Sequence, residues 1–236
     1  VKCVPDGLTG VVKIVGKNKF AFAAIKSDGS VTSWGLSYKG GTPPGIGAGT
    51  NCVYDSSGEY VSGTGCVTDI FHANAAFTAL KSDGTVTVWG YDDYGGCDSG
   101  SGLQSPASTG WKHYDCKPSG LTDVVTIVSG DGTNAFAFAA LKSDGTVAAW
   151  GTKYKGGCNS GSGESGGTNW DYTCVPSGLT GVVSIVANTM AFAAVKSDGS
   201  VVAWGSSTYG GDVTISSGAS IIYHNLYAFV AVGPLN

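Results

Sequence analysis

The chain is poor in charge. Lys, Arg, Asp and Glu together make up 13% of its 236 residues, the formal net charge is -4, and no basic cluster is present. Phosphate recognition needs a positive face, so a nucleic-acid partner is not expected. No apolar run approaches the roughly 18 residues of a membrane-crossing helix, so no membrane span is expected either. There is no Asn-x-Ser/Thr sequon, and N-glycosylation is not expected. Histidine is scarce: His72, His113 and His224 are the three copies, none at metal-ligand spacing, and no Cys-x-x-Cys pair exists. The glycine-rich stretch "GGTPPGIGAGTNC" lacks the lysine and the following helix of a phosphate loop. Asp92, Asp93 and Asp98 in "YDDYGGCDSG" lack the twelve-residue calcium-loop pattern. An enzyme needs converging polar groups in tuned surroundings, and nothing here supplies them. No enzymatic activity, metal or cofactor is expected.

What the chain does contain is repetition. "AFAAIKSDGSVTSWG" from Ala21 returns as "AFTALKSDGTVTVWG" from Ala76, "AFAALKSDGTVAAWG" from Ala137 and "AFAAVKSDGSVVAWG" from Ala191. The turn aspartates Asp28, Asp83, Asp144 and Asp198 follow one another at intervals of 55, 61 and 54 residues. The cleanest copy, Val175 to Gly211, begins with the short β-branched run "VVSIV", continues through "AFAAVK", turns at "SDG" and leaves through "SVVAWG". Asp-Gly accepts the positive φ of a tight hairpin. Three short strands joined by such turns make an antiparallel meander, and 39 glycines with no 3.6-residue periodicity argue against long helices.

The alanines of "AFAA" let backbones approach closely while Phe192 fills the interior. Trp34, Trp89, Trp150 and Trp204 each end a strand, where they are expected to cap the space between successive sheets by packing rather than by stacking on a ligand. Trp111 and Trp170 lie instead in "GWKHYDC" and "NWDYTC". With His113 they are candidate loop contacts, or else members of a loop mini-core around its own disulfide. His72 and His224 hold the same repeat position, which favours a structural role.

"FAALKSDGTVAAWG" followed by "YKGG" resembles the repeat of the regulator of chromosome condensation family. The "VPSGLTGVVSIV" lead-in resembles secreted bacterial propellers of that superfamily, one of which inhibits a β-lactamase. The resemblance implies propeller-type blades; it brings no function, because the superfamily hosts exchange factors, inhibitors and scaffolds. The family usually closes seven blades, whereas this chain offers four and a fraction. The expected fold is therefore all-β, a single β-repeat domain over 1–236. Its tandem short antiparallel sheets form four full units at about 1–41, 62–96, 117–157 and 175–211, with a partial one at 213–236. They form either a closed propeller or an open stack.

Seven cysteines complete the inventory. Matched loop positions predict the pairs Cys97–Cys116 and Cys158–Cys174. Cys52–Cys66, which aligns poorly with those loops, is the third expected pair, and three such pairs predict an oxidising, extracellular setting. Each such loop closure is worth roughly 3 kcal/mol in the chain-entropy model. Cys3 aligns with Cys116 and Cys174 but has no loop partner, which suits a link to another chain. The last copy, "SGASIIYHNLYAFVAV", stops before its turn and Trp-Gly strand. The segment Val1, Lys2, Cys3, Val4 is then expected to meet Ile221, Tyr223, Tyr227 and Phe229 of another copy. These features predict a secreted structural protein that polymerises head to tail into a fibre or surface layer. In the alternative, a monomeric propeller binds a protein or glycan through its cysteine loops.

Overall fold

The strands follow the repeat. The structure, a computed structural model, describes residues 4–16, 18–96, 114–130, 135–158 and 172–233. Unit 1 is the meander β1 (Val11–Val15), β2 (Ala21–Lys26), β3 (Val31–Gly35). A separate hairpin, β4 (Thr50–Tyr54) and β5 (Tyr60–Thr64), comes before unit 2, which is β6 (Val67–His72), β7 (Ala76–Lys81), β8 (Val86–Gly90). Unit 3 adds a short outer strand, β9 (Tyr114–Asp115), to β10 (Val124–Ser129), β11 (Ala137–Lys142), β12 (Val147–Thr152). Unit 4 has β13 (Tyr172–Thr173), β14 (Val182–Ala187), β15 (Ala191–Lys196), β16 (Val201–Ser206) and a second outer strand, β17 (Thr214–Ile215). The final half-unit pairs β18 (Ile221–His224) with β19 (Phe229–Val232). All pairings are antiparallel. Each full unit shifts register after the first residue of its first strand, at Val11/Lys13, Val67/Asp69, Val124/Thr126 and Val182/Ser184. Such bulges increase local twist.

Every blade has two faces because side chains alternate along a strand. The front carries an isoleucine from the first strand with the Phe–Trp pair of the second and third; the back carries small or branched residues. Each back packs on the next front. Ala21, Ala23, Ile25 and Val31 of unit 1 bury against Val67, Ile70, Phe77 and Trp89 of unit 2. The same arrangement joins unit 2 to unit 3, unit 3 to unit 4, and unit 4 to the half-unit. The four tryptophans are therefore packing residues: Phe22–Trp34, Phe77–Trp89, Phe138–Trp150 and Phe192–Trp204 stack at 5.3–5.6 Å.

Two turns lock the stack. In each Ser-Asp-Gly turn the aspartate Oδ1 accepts from the backbone N–H two residues on, at 2.9–3.0 Å for Asp28, Asp83, Asp144 and Asp198. The hydroxyl of that same Ser or Thr donates to the same oxygen. These bonds hold the carboxyls low, Asp144 and Asp198 at about 2. The turn glycine carbonyl then accepts from the next unit: Val67 N–H reaches Gly29 O, Val124 reaches Gly84, Val182 reaches Gly145 and Ala219 reaches Gly199, at 2.9–3.3 Å. At the other end, a short 3-10 turn closes each full unit on a Gly-Gly pair. Gly156 takes φ 83, and a Cβ there would lie 2.6 Å from the Phe192 ring of the next unit. A Cβ on Gly157 would meet the Gly151 carbonyl carbon at 2.5 Å. Neither position tolerates a side chain.

The sequence left ring and stack open. Among the described residues the units stack without closing into a ring. The outer faces carry exposed apolar side chains, Ile14 and Phe22 on the first and Tyr223 and Val230 on the last, while Trp34 of the first face is buried.

Candidate functional site

The first and last faces stand apart from everything between them. Ile14 is 57% exposed, whereas its counterparts Ile70, Ile127, Ile185 and Ile222 are 2–8% exposed. Phe22 is 45% exposed, against 0–1% for Phe77, Phe138 and Phe192. At the far end, Tyr223 and Val230 lie directly opposite each other on β18 and β19 and are both 59% exposed. Val230 occupies the position of the buried Ala23, Thr78, Ala139 and Ala193. Ile221 and Val232, also opposite one another, extend this exposed back face.

The four C-terminal residues expected to act as one set divide. Ile221 and Tyr223 face outward, and Tyr227 is exposed at the hairpin turn. Phe229 turns inward instead, onto unit 4, where a Cβ on Gly210 would touch its ring at 3.4 Å. The reason is alternation: Phe229 is the front-face phenylalanine of its unit. Val1, Lys2 and Cys3 lie outside the described residues, as do Trp111, Trp170, His113 and Cys97; Val4 is exposed. The described counterparts of Val1–Lys2 are β9 and β13. Both pair with the third strand of their own unit, Gly151 with Asp115 and Gly205 with Thr173.

One disulfide clips unit 3 to unit 4, and the other ties the β4–β5 hairpin to the start of unit 2. Cys52–Cys66 and Cys158–Cys174 are formed, and Cys116 is disulfide-bonded. Cys158 follows the Gly-Gly turn of unit 3, and Cys174 precedes Val175, which is buried in the junction with unit 4. Cys52 Sγ lies 3.3 Å from the Asp28 carbonyl of unit 1, while Cys66 opens unit 2. Both bonds belong to an oxidising environment. The junction between unit 4 and the half-unit carries Asp212 where the other loops carry Cys97 and Cys158, and no cysteine follows Cys174.

A third feature runs along the Gly-Gly end. Tyr38, Tyr91, Tyr94 and Phe136 form edge-to-face contacts across units 1 to 3, at centroid distances of 4.4–6.5 Å. Lys39 Nζ sits 4.3 Å above Phe20 and 4.9 Å from Tyr91. Lys155 Nζ lies 3.4 Å from the Phe136 centroid, and burial pushes its ammonium down to about 8 while the ring face offsets part of that cost. Tyr38–Tyr91 and Lys39–Tyr91 join units 1 and 2, and Tyr94–Phe136 joins units 2 and 3; the other contacts lie within a unit. Among the described residues, no three His, Cys, Asp or Glu side chains converge as a metal site.

The sequence reading missed an asparagine shortly before the second strand of units 1 and 4 and of the half-unit; unit 2 has Ala73 at that position. Asn188 is fully buried; its Nδ2 donates to Tyr209 O at 2.8 Å, and its Oδ1 accepts from Met190 and Ala191 N–H at 3.0 and 2.9 Å. Asn18 and Asn225 accept the equivalent N–H groups. The signal was present in "KNKFAF", "ANTMAF" and "HNLYAF".

No protein-family model and no curated protein matches the chain. Solved structures similar to it include Prp20p of Saccharomyces cerevisiae, at 19% identity over 82% of this chain and 43% of that one, TM-score 0.47. Human WBSCR16 matches at 18% identity over 98% and 60%, TM-score 0.44. The CRINKLY WD40 ectodomain of the Arabidopsis thaliana receptor kinase ACR4 matches at 14% over 86% and 56%, TM-score 0.42. This chain is an all-β array of propeller-type blades. It spans 43–60% of the length of those three proteins, and none of their functions is carried over to it. A structure of yeast RCC1 (Prp20) bound to Kap60 is also similar, at 19% identity over 82% of this chain and 41% of that one, TM-score 0.46.

Proposed function

We propose that the chain is a secreted, non-enzymatic structural module that associates end to end, the front of unit 1 in one copy packing on the C-terminal end of the next. The observation that carries this reading is the exposure of Ile14 and Phe22, whose counterparts are buried at the front of the following units. Part of a face that the repeat buries at each internal junction is exposed in unit 1, at Ile14 and Phe22, beside the buried Trp34. Contacts of this head-to-tail kind extend into filaments when they do not close. Covering what remains exposed of these two half-buried side chains supplies about 1.5–3 kcal/mol. That falls short of the roughly 4–15 kcal/mol cost of association. The remaining face, with its turn hydrogen bonds, must contribute, and assembly will depend on concentration.

Sedimentation velocity over a concentration series tests this. The parent chain should shift from a 23.7 kDa species to larger ones, and Ile14→Asp and Phe22→Asp should each hold it at the small species. A parent that stays at one mass up to its solubility limit contradicts the proposal.

A further inference from the structure

We infer that the open edge formed by the first strands of units 3 and 4, at Val125 and Val183, is a side-to-side contact surface whose occupant is the β4–β5 hairpin of a second copy. The contact joins neighbouring filaments, so it rests on the end-to-end reading above and adds a lateral partner to it.

The first strand of every full unit is an edge of its sheet: β1, β6, β10 and β14 each pair on one side only. An exposed strand edge is a template for another chain, and proteins blunt it with charge or cover it. Units 1 and 2 do both. β1 (VVKIV) carries Lys13 and β6 (VTDIFH) carries Asp69, and the hairpin lies against these strands. Gly58 at its turn abuts the Val12 carbonyl. Tyr54 Oη donates to Val67 O at 2.7 Å, and Lys13 Nζ reaches Glu59 at 2.8 Å and Asp69 at 3.0 Å. Tyr54 also packs with Val12 and Val15 on the core between the two units. The residue skipped at the register shift is half-buried in both, Val12 in β1 and Thr68 in β6.

Units 3 and 4 do neither. β10 (VVTIVS) and β14 (VVSIVA) hold no charged residue, proline or glycine. Thr126 and Ser184 stand at the positions of Lys13 and Asp69. The residues skipped at the register shift are Val125 and Val183, which are 55% and 57% exposed, and the two strands adjoin. Among the described residues no second hairpin lies against them.

The covered edge tells what fits the uncovered one. The hairpin already lies on the equivalent strands of its own chain. It uses Tyr54 for this, paired across the hairpin with Tyr60. Val53 and Val61, which flank that pair, are left 47% and 59% exposed. An uncharged pair of β-branched side chains on the hairpin thus matches an uncharged pair on the edge, and such side chains pack well on a pleated surface. One contact of this size is weak. Along a filament it recurs with every chain, so later contacts form at high effective concentration. Filaments therefore pair side to side, while single chains do not.

A benzophenone-bearing amino acid at the exposed position 61 of the full chain reads this contact. At an associating concentration, its links to a second chain should fall within residues 124–129 or 182–187. Val125→Lys with Val183→Lys puts charge on the edge at exposed positions that leave the core untouched. It should lower the yield of those links at least about ten-fold, because covering an unpaired ammonium is costly, and electron micrographs should change from paired to single filaments. Links that stay within one chain, reach other residues or survive the two lysines overturn the proposal, while filaments that form nevertheless leave end-to-end association standing. With Phe22→Asp the links should fall together with the filaments. Links that persist undiminished in that variant would show pairing of single chains, and the stated dependence on filaments falls. If the parent forms neither filaments nor links, both readings fall.

Discussion

The same substitution at two equivalent positions should have unequal consequences. Phe192 is 1% exposed, stacks on Trp204 at 5.5 Å and lies over the Gly156 turn. Phe192→Ala removes a buried ring from a junction that cannot collapse, because the glycine turn is fixed by its own backbone contacts. The expected cost is about 3–5 kcal/mol, as for other large truncations in cores. Phe22 makes the matching stack on Trp34 at 5.6 Å, but 45% of it faces solvent. About half of the roughly 1.5–3 kcal/mol available from burying such a side chain is realised there, so Phe22→Ala should cost only about 1–2 kcal/mol. Urea unfolding of dilute protein, with equal m values as the check on two-state behaviour, gives both numbers. If Phe22→Ala costs as much as Phe192→Ala at a concentration where the chain is a single species, the front of unit 1 is covered within the molecule. A closed ring would then replace the open stack.

Three further outcomes follow from the turns and clips. Asn188→Ala orphans two N–H groups and a carbonyl, at about 1–3 kcal/mol for each buried group left unpaired; a loss below about 1 kcal/mol in chemical denaturation would show that water replaces the side chain. The carboxyls of Asp144 and Asp198, held at about 2 chiefly by the Thr146 and Ser200 hydroxyls, bind fewer protons folded than unfolded. Their stabilisation is present above about pH 4 and is lost as pH falls toward 2. Thr146→Ala with Ser200→Ala should flatten that part of the melting-temperature profile, and an unchanged profile would place the acid sensitivity elsewhere. Replacing both Cys158 and Cys174 by Ala, which opens a loop of 16 residues, should cost about 3 kcal/mol, measured by thermal unfolding in the absence of reductant.

The blades were legible because their determinants are local. Asp-Gly turns, β-branched runs and the Trp-Gly strand end each act within a few residues, and each sits where the sequence pattern places it. The Cys158–Cys174 pair was legible for a similar reason: the cysteines bracket a loop whose ends the repeat brings together, whereas Cys52–Cys66 follows from sequence nearness rather than from the repeat. What escaped is what depends on the neighbouring unit. The β4–β5 hairpin is an insertion with no counterpart among the described residues. It is fixed by Tyr54 Oη to Val67 O at 2.7 Å and by Lys13 reaching Glu59 and Asp69 at 2.8 and 3.0 Å. The outer strands β9 and β13 are two residues long and have no periodicity to read. The end faces were half legible. The missing third strand of the last copy pointed to the C-terminus, but the exposed Ile14 and Phe22 carry the same letters as their buried counterparts. Only the structure shows that Ile14 and Phe22 are exposed where those counterparts are buried.

The central claim is that the front of unit 1 docks on the C-terminal end of a second copy, and a cross-link from position 22 addresses it most directly. A benzophenone-bearing amino acid placed at position 22 of the full chain, photoactivated at an associating concentration and mapped by mass spectrometry, should join two chains. The partner peptide should come from unit 4 or the half-unit, within residues 191–232. Cross-links confined to a single chain, or joining position 22 to the hairpin or to units 1 to 3 of the other copy, would contradict the account.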